Sequence, residues 1–130
     1  MYAGVGSIGI PIGDTKALVE LDPANVAMAK KNVGDKDIEV IEASTEQALE
    51  YITPDSCLIV DPPRSGLHKD VIERILEAGP AQICYLSCNP ATQARDVALL
   101  QESYEIADFD CYNFFPRTPH IETLCILKKK

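Results

Sequence analysis

The sequence predicts an α/β fold built on a mostly parallel sheet, and three observations carry that expectation. Short apolar runs alternate with helix-like segments along the whole chain. Two helix-like segments carry end signals: Pro23–Val33 has Pro in its first turn, and Lys69–Ala78 is closed by Gly79-Pro80. The unusual residues gather in loops after strand-like runs, where sheets of this class bind ligands.

Taken in order, Ala17–Leu21 (ALVEL) reads as a strand and Pro23–Val33 as a helix. Ile38–Ile41 is a strand, and Thr45–Tyr51 a short helix with Ser44 as its N-cap. Cys57–Val60 (CLIV) is a buried strand and Lys69–Ala78 an amphipathic helix. Ile83–Leu86 is a strand and Pro90–Gln101 a helix. Tyr104–Phe115 and Ile121–Leu127 read as two closing strands joined by Pro116-Arg117-Thr118-Pro119. With 130 residues and no repeat or linker, residues 1–130 are expected to form one domain.

Composition is that of a globular protein, 46% hydrophobic and 25% charged, and no apolar run approaches a membrane span. Nothing at the start reads as a signal peptide, so a cytoplasmic location is expected. The net charge of −8 attracts no phosphate on average, so contact with nucleic acid would need a local patch or another domain. Five cysteines, an odd number, suit reduced thiols better than a disulfide framework. Cys84 and Cys88 lack zinc-knuckle spacing, and no metal site is expected.

Four loops hold the candidate chemistry. In "YAGVGSIG", Gly4, Gly6 and Gly9 form G-x-G-x-x-G, a spacing that lets main chain approach a ligand. Glu20 ends the next strand, where an acid can accept both ribose hydroxyls of a nucleoside cofactor. This pairing suits a dinucleotide or S-adenosylmethionine and does not separate them. In "CLIVDPPRSGL", Asp61 is followed by two prolines that stiffen the backbone and remove two N–H donors. In "YLSCNPATQARD", Cys88 lies between a strand and a helix start at Asn89-Pro90. Helix N-termini stabilise anions, which suits a nucleophilic thiolate. Free cysteine is also among the most buried residue types, so both readings of Cys88 stay open on pattern alone. Near the end, "FFPRTPHIETL" puts His120 and Glu122 where the last strand begins. Glu122 is there an exposed edge residue or a general base, and His120 reads as structural.

Together these stretches resemble the S-adenosylmethionine-dependent RNA uracil-5-methyltransferases, which form 5-methyluridine in tRNA and rRNA. The likeness is to their C-terminal catalytic domain. It runs through "YAGVGSIG", "VELDP", "VDPPRSGL", "YLSCNPATQARD" and "FPRTPHIET". It implies a Rossmann-like class I methyltransferase sheet, mostly parallel with an antiparallel C-terminal strand. Cys88 then matches the nucleophile and Glu122 the general base. Tyr2, Glu20 and Asp61 match cofactor-contacting positions, with Gly4 and Gly6 forming the loop. Ser7 and Ser44 stand where related enzymes contact S-adenosylmethionine through Asn or Asp, and Arg117 stands where His is frequent.

Such a sheet should have a first strand before Tyr2, and family members carry RNA-binding parts on that side. The expectation is therefore an N-terminally truncated methyltransferase domain whose RNA partner belongs to the full-length enzyme. Loss of a central strand exposes backbone pairing groups, so self-association is expected. Two other readings stand beside this one. The chain could bind S-adenosylmethionine without catalysis, or it could be a dinucleotide oxidoreductase. The Cys88 and Asp61-Pro62-Pro63-Arg64 loops argue against the second.

Overall fold

The computed structural model describes residues 1–130, which form two compact units, Met1–Tyr51 and Ile52–Lys130. The first holds α1 (Gly9–Ile12), β1 (Ala17–Glu20), α2 (Pro23–Val33) and β2 (Glu39–Glu42). The second holds β3 (Cys57–Val60), α3 (Lys69–Ala78), β4 (Gln82–Ser87), α4 (Pro90–Leu100), β5 (Tyr104–Tyr112) and β6 (Glu122–Lys129). Pro23–Val33, Cys57–Val60 and Lys69–Ala78 form as expected, and the other strands and helices differ by at most three residues at an end. α1 is the helix expected after the glycine loop, shortened to one turn. The helix expected over Thr45–Tyr51 is instead two 3₁₀ turns, Thr45–Gln47 and Leu49–Tyr51. Ser44 opens the first with a capping box, but Ala48 leaves helical geometry at φ −125°, ψ 33° and breaks the run.

In place of one sheet there are two. β1 pairs with β2 in parallel, and the other strands run in the order β3-β4-β6-β5. β1 and β3 thus have one strand neighbour each. In the four-stranded sheet, β3 and β4 are parallel, and β6 is antiparallel to both β4 and β5. Three strands therefore run one way and the C-terminal strand runs against them.

In the first unit, the Asp22 carboxylate accepts from the N–H groups of Ala24 and Asn25 at 2.9 Å and starts α2. Ala29 and Val33 of α2 bury against Leu18, with Ala3, Ile10, Ile38 and Val40 packed around them. In the second unit, strand alternation decides the core. Ile83, Tyr85 and Ser87 of β4 lie opposite Leu127, Cys125 and Thr123 of β6, and all six are buried. α4 covers this face, because Gln93 meets Thr123 and Tyr85 meets Asp96. Tyr104 closes the end of β5 by donating to the Pro80 carbonyl at 2.9 Å.

Asp96 is the one fully buried carboxylate in the chain. Its Oδ2 accepts from the Tyr85 hydroxyl and the Leu67 N–H, both at 2.8 Å, and Oδ1 accepts from Arg95 at 2.7 Å. Burial, then the Asp96 carboxylate, pushes the Tyr85 phenol up, so it stays a donor. Removing Asp96 strands a buried hydroxyl and a buried N–H. Asp96→Ala is expected to cost about 3 kcal/mol and Tyr85→Phe about 1–2 kcal/mol in chemical denaturation. The double variant should cost less than the sum, because the two changes remove one shared bond.

Candidate functional site

In the first unit the expected residues meet at the carboxyl ends of β1 and β2. Glu20 is the last residue of β1, level with Glu42 of β2, and Ala43 donates to its carbonyl at 3.0 Å. Ser44 follows and caps the first 3₁₀ turn; the Gln47 side chain accepts from its N–H at 3.4 Å. The Glu20 carboxylate accepts from the Gly4 N–H at 2.8 Å and the Asp22 N–H at 2.9 Å. The acid thus holds the glycine loop and the start of α2 in place. It also keeps lone pairs for a ligand, since a carboxylate has about four acceptor sites.

The loop itself turns sharply. Gly6 donates to the Ala3 carbonyl at 2.9 Å, and Ala3 donates to Val19 of β1 at the same distance. Tyr2, Gly4 and Gly6 have φ of 56°, 55° and 84°. A side chain at Gly4 would meet nothing within 4 Å, so the space before this main chain is open. Gly6 is different: a Cβ there would collide with Ile10 and crowd Leu18. Ser7 is exposed beside it. The helix expected to follow the loop is a single turn, α1, ended by Gly13 at φ 94°.

In the second unit, Asp61, Cys88 and Glu122 stand at one end of the sheet. Val60 pairs with Tyr85, so Asp61 follows the last residue of β3. The β4–β6 ladder ends at Ser87 opposite Thr123. One step past that pair lie Cys88 on one strand and Glu122 on the other. Glu122 in turn pairs with Tyr112 of β5. Loss of hydration raises the Asp61 carboxyl above the usual carboxylate range.

Cys88 crowns a tight turn. The Ser87 hydroxyl accepts from the Asn89 N–H at 3.0 Å and contacts the Asn89 carbonyl at 3.1 Å. Asn89 then caps α4 by accepting from the Ala91 N–H, with Pro90 in the first turn. The thiol is half-buried. The buried thiol of the set is Cys125, the partner of Tyr85 across the β4–β6 ladder.

The sequence reading missed how the Asp61 and Cys88 loops are joined. Asn89 Nδ2 and Thr92 Oγ1 donate to the Arg64 carbonyl at 3.0 and 3.2 Å. Arg95 donates to the Ser65 carbonyl at 2.9 Å, and Asp96 takes the Leu67 N–H. Gly66 lies between at φ 84°; a Cβ there would press within 2.5 Å of Asp96 and 2.7 Å of Arg95. The signal was present in the polar residues Asn89, Thr92, Arg95 and Asp96. Their spacing of three and four repeats on one helix face.

The glycine loop yields its own test. Gly6→Ala forces a non-glycine residue to positive φ and pushes a methyl group into Ile10. It should lower stability by about 1–3 kcal/mol in thermal or chemical denaturation, whereas Gly13→Ala, with open space at its Cβ, should cost less.

The family model for tRNA (uracil-5-)-methyltransferase matches residues 47–130. An RNA methyltransferase of Nitratidesulfovibrio vulgaris is 39% identical over 100% of this chain and 31% of its own length. One from Nanoarchaeum equitans is 40% identical over 99% of this chain and 29% of its own. The crystal structure of Pyrococcus abyssi tRNA (uracil-54, C5)-methyltransferase in complex with S-adenosyl-L-homocysteine superposes with a TM-score of 0.84 at 35% identity. It is covered over 33% of its length, and this chain over 98%. The chain thus spans about a third of the length of these relatives. By sequence and by structure, it belongs to the tRNA (uracil-5-)-methyltransferase family.

Proposed function

We propose that this chain is the catalytic part of an enzyme that methylates C5 of a uridine in tRNA or rRNA, through a covalent adduct on Cys88. The observation that carries the reading is the pair formed by Cys88 and Glu122, one step beyond the last β4–β6 ladder pair. The Pyrococcus relative acts on uracil C5 of tRNA and was solved with S-adenosyl-L-homocysteine, which supports the same chemistry here.

The residues present fit the methyl donor. Gly4 leaves open space before its main chain, and Glu20 ends β1 with a carboxylate anchored by the Gly4 N–H. Tyr2, Gly4, Gly6, Ser7, Glu20, Ser44 and Asp61 are the residues proposed to hold it. S-adenosylmethionine, when bound, supplies an electrophilic methyl group.

The chain's own residues do the rest. Uracil C5 is a weak nucleophile. The Cys88 thiolate adds to C6, which places enolate electron density on C5. Once C5 carries its methyl group, Glu122 removes the C5 proton, the C5–C6 double bond re-forms and the thiolate leaves. Asp61 and the stiff Pro62-Pro63 segment hold the reacting groups in register. The base must leave its RNA stack to reach Cys88. A second reading, binding of S-adenosylmethionine without catalysis, is favoured by the charge of −8, which repels RNA phosphate.

One experiment tests both. The chain is incubated with S-adenosylmethionine and RNA containing 5-fluorouridine, whose fluorine blocks proton removal. A denaturation-stable adduct is expected and should vanish in Cys88→Ala. With ordinary uridine, Glu122→Gln should accumulate the adduct and turn over about 100-fold or more slower. Adduct formation in Cys88→Ala would overturn the nucleophile. Calorimetric binding of S-adenosylmethionine, lost in Glu20→Ala, with no adduct in the unaltered chain would favour the second reading.

A further inference from the structure

All three phenylalanines of the chain lie on β5 or the loop after it, and all are exposed: Phe109 at 49%, Phe114 at 67% and Phe115 at 50%. An exposed phenylalanine is ordinary, and Phe109 lies on the opposite sheet face from Tyr112; Phe114, by contrast, is exposed together with Tyr112. Phe114 stacks on Tyr112, with ring centroids 5.7 Å apart and planes 6° from parallel. Near-parallel stacking leaves the outer face of Phe114 free. Tyr112 pairs with Glu122 across the β5–β6 ladder, so the two side chains share a sheet face with Cβ atoms about 5 Å apart. The stack therefore begins beside the proposed base and continues away from it.

The loop beyond the stack is held in an uncommon shape. Thr118 donates its N–H to the Phe115 carbonyl at 3.2 Å and its hydroxyl at 2.7 Å. Pro116 fills the second turn position and Arg117 the third, at φ 69°. That position favours glycine. A strained cation is thus kept at the tip of an aromatic hairpin.

We infer that the outer face of Phe114 is a stacking platform for a nucleobase of single-stranded RNA, the neighbour of the uridine that reacts with Cys88. The inference rests on the uridine-methylating reading above and extends it to a second nucleotide. Charge decides how the RNA is held. Asp108 and Asp110 flank the stack, and the Tyr112 hydroxyl contacts Asp110 at 3.4 Å. With the net charge of −8, these carboxylates repel phosphate. Recognition here works through base faces, and Arg117 is the one cation of the loop. Stacking of a base on an aromatic ring tolerates any base, so this platform holds the strand without reading its sequence.

The test uses the full chain and a short single-stranded RNA with 2-aminopurine beside the uridine. Stacking on Phe114 should quench the fluorophore. Phe114→Leu should abolish the quench and weaken binding about tenfold, with the salt dependence of affinity unchanged. Phe114→Tyr should retain both properties. Arg117→Gln should weaken binding and lower the salt slope by about one. Circular dichroism should be unchanged in all three, because these side chains are exposed. Equal quench and affinity in Phe114→Leu, or no quench in the unaltered chain, would overturn the inference. A change in the sedimentation of RNA-free Phe114→Leu would also overturn it, by making the patch a protein interface. Cys88→Ala should quench normally while forming no adduct. Quenching without any adduct in the unaltered chain would leave the platform standing and remove only the catalytic reading.

Discussion

The buried Asp96 carboxylate is the point from which the second unit is organised. A charge with no exposure survives only when every lone pair has a donor. Here the donors come from three places: Tyr85 on β4, Arg95 on α4 and the main chain at Leu67. One group therefore fixes a strand, a helix and a loop against one another. Substituting a donor leaves part of a buried carboxylate unpaired, and substituting Asp96 strands the Tyr85 hydroxyl and the Leu67 N–H together, so the arrangement is held more firmly than its number of bonds suggests.

That constraint reaches the reactive groups. Because α4 is locked to β4, the turn between them has one geometry, and Cys88 sits on that turn. Because the Arg64–Leu67 loop hangs from α4, the end of β3 is carried along with it. On the other side, Thr123 ties β6 to the same helix through Gln93 at 2.8 Å, with Glu122 the preceding residue. Asp61, Cys88 and Glu122 stand at the ends of three strands, and the pairing and hydrogen bonds of their neighbours at 60, 87, 89 and 123 set where they stand.

Much of this was legible in the chain. The strand and helix order followed from apolar spacing and from end signals such as Pro23, Asn89-Pro90 and Gly79, while the Asp22 cap came only with the structure. The reversed direction of β6 followed from family resemblance and not from spacing, because alternation in Leu124–Leu127 fits either direction. One feature was illegible for a physical reason. The run Thr45–Tyr51 has helical composition, and only the backbone at Ala48 breaks it. In the site, residue pattern singled out Asp61, and family resemblance chose for Cys88 and Glu122 between readings that pattern left open, whereas the clasp between loops lay in residues that look like an ordinary polar helix face. The aromatic hairpin read as plain strand, since Phe and Tyr are good strand formers.

The Arg64–Leu67 loop is gripped through its carbonyls and one N–H, with no share taken by the side chains of Arg64 and Ser65. Those two side chains are therefore free of any duty in folding. They can change while the anchoring residues on α4 stay as they are. Sequence can diversify there at little cost in stability, and Gly66 between the anchors is the position where it cannot.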